Sequence, residues 1–173
     1  MIAFRNIIFS LLLLALANND SIAQTINYSV HANIIYRFTK YIDWPDDNKS
    51  GDFVIGIIGD SPIYDELKKT TAGKTIGNQK ITVVKILSTQ NIYNCHILFI
   101  SDYERSYLKK VVTAKPNSSF LIVTEESGLC LKGACINIYE EDEKMIMEIN
   151  KKNIEKRGLH VAGELLALAK IVE

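Results

Sequence analysis

The run Phe53-Val54-Ile55-Gly56-Ile57-Ile58, followed at once by Gly59-Asp60-Ser61-Pro62, decides the fold. Six apolar, β-rich residues without polar alternation read as a strand buried on both faces, which a parallel sheet requires. Gly59 turns the chain, Asp60 or Ser61 can cap a helix, and Pro62 suits its first turn. That helix is expected to reach about Thr71, with Gly73 after it. The unit then repeats. Lys80–Leu87 (KITVVKIL) and His96–Ser101 (HILFIS) read as strands, and Tyr103–Thr113 as a helix with Tyr107, Leu108, Val111 and Val112 inward. Ser119–Thr124 (SFLIVT) is the next strand. Strands alternating with helices imply βαβ units and a largely parallel sheet.

On the N-terminal side, Val30, Ile34, Ile35, Phe38, Tyr41 and Ile42 recur at helical spacing, with Asn33, Arg37 and Lys40 opposite. They predict an amphipathic helix over Asn27–Ile42, stopped by Trp44-Pro45. On the C-terminal side, Ala134–Tyr139 and Met145–Asn150 alternate apolar and polar residues around Glu140-Glu141-Asp142-Glu143, the pattern of an antiparallel hairpin with a charged tip. Lys151–Lys156 reads as a helical turn ended by Gly158, and Leu159–Val172 as a final helix. The expected fold is α/β: one three-layer domain over residues 24–173, mostly parallel, with a C-terminal antiparallel hairpin and helices on both faces of the sheet.

Residues 1–23 read as an address. Arg5 gives a positive start, Ile7–Ala17 is an apolar run, and Ser21-Ile22-Ala23 offers small residues where a signal peptidase cuts. The run is too short to span a bilayer, which needs about 20 residues. The expectation is export to the periplasm with cleavage after Ala23, and no membrane insertion thereafter. Cleavage removes Arg5 and Asp20 and leaves the chain neutral.

Twenty basic and twenty acidic residues balance to zero net charge, which argues against a nucleic-acid partner. Gly59-Asp60-Ser61 resembles a GDS-type esterase block, but the residues three before His31, His96 and His160 are Tyr28, Tyr93 and Arg157, so no Asp-x-x-His pair exists. Gly73-Lys74-Thr75 lacks the first P-loop glycine, since position 68 is Lys68, and it follows a helix rather than a strand. Three His and three Cys show no metal-ligand spacing. No enzyme, metal or cofactor is expected.

Cys130 and Cys135 invite a geometric reading. With Lys132-Gly133 as a two-residue hairpin turn, the two cysteines face each other as a non-hydrogen-bonded pair, Cα atoms about 4.5 Å apart. A disulfide spans that separation, and an oxidising compartment preserves it. Cys95 is then left as a buried thiol.

Several strings, in order, resemble one family. They are Tyr36-Arg37-Phe38-Thr39-Lys40-Tyr41-Ile42-Asp43-Trp44-Pro45, Ile57-Ile58-Gly59-Asp60, Gly73-Lys74-Thr75-Ile76-Gly77 and Cys95-His96-Ile97-Leu98-Phe99-Ile100-Ser101. Further on come the Gly128–Ile138 segment, Glu148-Ile149-Asn150, Arg157-Gly158-Leu159 and Leu165-Leu166 through Ile171. Together they resemble the YfiR-like periplasmic regulators. The resemblance implies a non-enzymatic protein that binds the periplasmic part of an inner-membrane diguanylate cyclase and restrains cyclic di-GMP synthesis, with redox state among its signals. Cys130 and Cys135 resemble one of the family's cysteine pairs; Cys95 resembles one member of another, and its partner is missing here.

The partner is thus expected to be an inner-membrane signalling protein with a periplasmic domain, a homodimer being a further option. The candidate contacts are Tyr36, Tyr41 and Trp44 near the first helix and Leu166 and Ile171 near the end of the chain. A second hypothesis is a small-molecule sensor feeding a histidine kinase. Parallel sheets bind ligands at the carboxyl ends of their strands. Asp60, Ser61, Ser101 and Asp102 lie there, with Gly59 and Thr124 beside them.

Overall fold

The computed structural model describes residues 26–87 and 95–173. The expected signal segment lies outside them. The chain opens with helix α1 (Tyr28–Tyr41), whose buried side is His31, Ala32, Ile35, Phe38 and Thr39. The Asn27 side chain caps it by accepting from Val30 N–H. Strand β1 (Ile42–Asp43) and a 3-10 turn over Asp46–Asn48 lead into β2 (Phe53–Ile58). Then come α2 (Ile63–Thr71), β3 (Thr75–Ile76), β4 (Gln79–Ile86), β5 (Ile97–Ile100), α3 (Ser106–Ala114) and β6 (Leu121–Thr124). Strands β7 (Ile136–Glu141) and β8 (Lys144–Ile149) form the hairpin, followed by α4 (Lys151–Lys156), β9 (His160–Val161), α5 (Gly163–Leu166) and β10 (Lys170–Ile171).

The main sheet has the order β10-β8-β7-β6-β5-β2-β4-β3. The block β4-β2-β5-β6-β7 is parallel throughout. All four residues of β5 and all four of β6 are buried, as strands covered on both faces must be. From β2 the chain crosses through α2 to β4 on one side; from β5 it crosses through α3 to β6 on the other. Right-handed crossovers in opposite directions place α2 and α3 on opposite faces. Helix α1 packs against α2. The sheet is thus sandwiched between helices, with the antiparallel β7–β8 hairpin at its far side, as expected from sequence.

At the hairpin tip, Asp142 and Glu143 both hold positive φ (49° and 61°), the primed turn that matches the twist of its strands. Glu140 and Glu141 lie in the strand instead of the turn.

Two expectations are overturned. Leu159–Val172 is not a helix: it breaks into β9, the single turn α5, and β10. Strand β9 pairs antiparallel with β1, and β10 pairs parallel with β8. Residues 130–135 are not a hairpin either. Leu129–Lys132 winds as a 3-10 turn, and Gly133 leaves it at φ 111°. A side chain at Gly133 would also run into Val112 on α3, so the chain needs glycine here twice over.

Candidate functional site

Of the expected contact residues, Trp44 belongs to the core. It is 6% exposed, its Nε1–H donates to the His96 carbonyl at 3.1 Å, and its ring meets Phe53 edge-on with centroids 5.0 Å apart. Its aromatic bulk made it a candidate anchor; the fold spends that bulk inside. Leu166 is half-buried, and Ile171 is exposed on the edge strand β10. Leu166 belongs to the turn that follows Ala162, whose N–H donates to the Tyr41 carbonyl at 2.8 Å.

Tyr36 and Tyr41 are half-buried and share a groove of about 370 Å³ with Asn33, Arg37, Lys40 and Lys74. Helix α1 supplies five of the six. Lys74 comes from the turn after α2, where Gly73 at φ 70° and the Lys74 N–H bond to the Thr71 carbonyl (3.0 Å) set its position. Its Nζ lies 4.1 Å from the centre of the Tyr36 ring, with Lys40 Nζ at 5.9 Å. A second groove of about 440 Å³ adjoins through Lys74 and adds Lys68 and Lys80.

The residues expected at the strand ends do converge, but in different states. Asp60 is exposed and pairs with Lys85 at 2.9 Å; that contact holds its carboxyl below the usual range. Ser61 is buried and accepts from Ile63 N–H at the start of α2. Asp102 is half-buried and paired with Arg105 at 3.1 Å. Ser101 is fully buried, and its Oγ has no hydrogen-bond partner. A side chain at Gly59 would strike that Oγ, so glycine keeps the two strand ends in contact. Thr124 bonds to Asn137 deeper in the sheet.

The missed member of this cluster is Glu125. Its Oε1 accepts from Asp102 N–H at 2.9 Å, while Oε2 is buried without a partner. Burial, aided by the negative charge of Asp102, raises its pKa although the backbone N–H opposes this. Tyr28 from α1 lies beside Glu125 and Ser61, and burial raises its pKa as well. Glu125 directly follows a fully buried strand, and position was the only sequence signal available. The connections that leave the neighbouring strands β2 and β5 run in opposite directions, to β4 and to β6, and this cluster lies at that switch point.

All three cysteines are buried free thiols in this structure, so the expected Cys130–Cys135 bond is not formed in it. Burial pushes Cys95 and Cys130 up to about 12 and Cys135 up to about 11. Cys135 is close enough to Cys130 for its charge to raise Cys130 further. Next to them is a polar hub. Glu148 accepts from Asn137 Nδ2 (3.0 Å), Tyr139 OH (3.2 Å) and Lys170 Nζ (3.0 Å). Among the described residues no group of three or more His, Cys, Asp or Glu is placed to hold a metal ion.

The chain belongs to the YfiR/HmsC-like family, whose pattern it matches over residues 28–170. Members of that family are periplasmic regulators in cyclic di-GMP signalling, and the family implies contact with a membrane signalling protein. No helix of the described residues is long and apolar enough to cross a membrane. A search of the curated proteins gives no match. Among solved structures, a conserved domain protein from Vibrio cholerae O1 biovar El Tor aligns with a TM-score of 0.59 and 12% identity, covering 85% of this chain and 60% of the other. That likeness concerns the fold alone, and this chain spans about 60% of that protein's length. An ABC domain in complex with L-Trp from Streptococcus pneumonia aligns at a TM-score of 0.48, with 14% identity over 69% of this chain and 55% of the other.

Proposed function

We propose that this protein is a non-enzymatic periplasmic regulator that binds and restrains the periplasmic part of an inner-membrane signalling protein of the diguanylate cyclase type. The observation that carries the reading is the family match over residues 28–170. The groove of Tyr36 and Tyr41 gives it a surface, because half-buried tyrosines offer a large apolar contact with a polar tip. Leu166, packed on the core, and Ile171, exposed on the edge strand β10, are further candidate contacts. Export through a signal cut after Ala23 would deliver the chain to this partner, as a monomer or as a homodimer. Cys130 and Cys135 close into a disulfide there and give the complex its redox sensitivity. The test is cyclic di-GMP in cells lacking the gene. It should rise, and fall again with the wild-type gene but not with Tyr36→Ala/Tyr41→Ala. An unchanged or lower level in the deleted strain would sink the reading.

A second reading, a periplasmic small-molecule sensor feeding a histidine kinase, is favoured by one observation: Ser101 Oγ and Glu125 Oε2 are buried without partners at the switch point. A thermal-shift panel of amino acids, amines and polyols tests it. A stabilising compound whose effect disappears in Glu125→Gln supports the sensor. A flat panel removes it.

A further inference from the structure

Arg37, Lys40, Lys68, Lys74 and Lys80 line the two adjoining grooves, and none of the five makes an ion pair among the described residues. No carboxylate lines either groove. Glu66 on α2 is taken up by Lys69, at 4.0 Å. Elsewhere the cations are mixed: Lys49, Lys85, Arg105, Lys151, Lys152 and Lys170 each have an acid at 2.8 to 3.4 Å, while Lys109, Lys110, Lys132, Lys144 and Lys156 make no ion pair among the described residues and do not share a groove with one another. Five cations without an ion pair thus share two adjoining grooves, and the carboxylate beside them is that of Asp52, which accepts from Thr82 Oγ1 at 2.7 Å. Such a field attracts anions over about a Debye length, roughly 10 Å at ordinary salt.

The shape is as specific as the charge. The cations are not on a flat face. They rim a recess on α1 between Tyr36 and Tyr41, and Lys74 is steered by the Tyr36 ring instead of by an acid. The recess continues past Lys74 into the groove beside β4, where Lys80 and Lys68 stand. Cations along two joined recesses, the first walled by Tyr36 and Tyr41, fit an extended chain with repeated carboxylates. A bilayer surface would meet only the outermost ammonium groups.

We propose that this track docks an acidic segment of a protein partner, its Asp and Glu carboxylates on Arg37, Lys40 and Lys74 and its apolar side chains against Tyr36 and Tyr41. The proposal rests on the protein-binding reading above and gives that reading a chemistry. Complementary charge then governs the rate of encounter and its salt dependence, and the tyrosines hold the segment once it has arrived.

The test uses the exported protein and a fluorescein-labelled short peptide of alternating Glu and Gly, followed by anisotropy at low and at physiological salt. Lys74→Glu and Arg37→Glu/Lys40→Glu should each weaken binding roughly tenfold or more. Lys109→Glu/Lys110→Glu is the matched control, because Lys110 lies 4.4 Å over Tyr107 on α3 in the same kind of pairing. It should leave binding nearly unchanged. The proposal is overturned if the peptide does not bind, or if control and groove variants lose affinity equally. Phosphatidylglycerol vesicles that bind the wild type and not the groove variants, without peptide binding, would assign the track to a lipid surface. Self-association by sedimentation that vanishes in the groove variants would assign it to a second copy; both outcomes overturn the proposal. The same variants in the cyclic di-GMP assay separate two kinds of failure. Lost peptide binding with intact restraint leaves the acidic-segment chemistry standing and refutes its link to restraint. Lost restraint with unchanged peptide binding refutes the track and keeps the regulator.

Discussion

Phe53 lies nearly flat on His96, ring centroids 4.4 Å apart and planes 24° from parallel. The contact works because His96 is pinned at both nitrogens. Val54 N–H donates to Nδ1 at 3.0 Å, so Nδ1 must be the acceptor. Nε2 therefore carries the proton and donates to the Asn48 carbonyl at 2.7 Å. The ring is neutral, stacked, and ties the loop before β2 to the start of β5.

Protonating His96 would set a ring N–H against Val54 N–H. Burial lowers its pKa, and the bond to Asn48 only partly opposes this. A depressed folded-state value means that the unfolded chain binds the proton first. The contribution to stability is complete above the unfolded pKa, about 6.5, and is lost as pH falls below it toward the folded value. We expect the melting temperature to drop between neutral and mildly acidic pH. His96→Gln should flatten that slope while lowering stability at every pH. An unchanged slope in the variant would assign the transition to other groups.

Arg157 is 3% exposed, donates to the carbonyls of Lys115 (3.3 Å) and Ser118 (3.2 Å), and lies 4.7 Å from the centre of the Phe120 ring. Arg157→Ala removes the bonds to both carbonyls and opens a void, and should cost about 3 kcal/mol. Arg157→Lys keeps the charge but not the plane or the fork, and should still cost about 1–2 kcal/mol. Chemical denaturation measures both; a lysine variant as stable as wild type would show that charge alone matters.

Glu148 is 3% exposed and would be pushed up by burial, yet Asn137, Lys170, Gly128 N–H and Tyr139 together hold its carboxyl below the usual range. Its share of stability is present above the unfolded value, about 4.3, and disappears as pH falls through the folded one. Glu148→Gln keeps the shape and loses the Lys170 pairing. It should destabilise by about 1–2 kcal/mol at neutral pH and by less in acid. A deficit that is the same at both pH values would refute the ionised hub.

The thiols give a reading of the cysteine pair. With pKa values at about 11 to 12 and little exposure, all three cysteines should react slowly with a thiol reagent in the folded protein. After denaturation without reductant, the exported protein should expose only the Cys95 thiol if Cys130 and Cys135 have paired. Reductant should then restore all three. Three thiols before reduction would remove the proposed disulfide.

The apolar strands of the central block were legible because a strand covered on both faces leaves an uninterrupted mark, as in Phe53–Ile58 and Leu121–Thr124. Helix α1 was legible to within a residue at each end, since its buried positions repeat at helical spacing. The end of the chain was not. Leu165, Leu166, Leu168 and Ala169 favour helix locally, but β1 and β8 offer unpaired edges, and the pairs Ile42–Val161 and Ile171–Ile149 override that preference. Two-residue strands are too short to show any period. The basic track failed to appear for another reason. Arg37 and Lys40 read as the wet side of a helix, and Lys74 as a failed phosphate loop; only the packing of α1 on α2 brings them together. Trp44 illustrates the opposite error, a large aromatic whose size is used in the core.

The pairing of β1 with β9 joins Ile42 to Val161 and Asp43 to His160, and the Ala162 N–H bond to the Tyr41 carbonyl at 2.8 Å extends it. A clasp between the first and last parts of the domain cannot close while the chain is still emerging. Most of the other strand contacts are parallel and so bridge long loops, which slows folding further. Residues 160–162 must therefore be in place before the clasp exists, and a chain cut ahead of His160 would leave the β1 edge open.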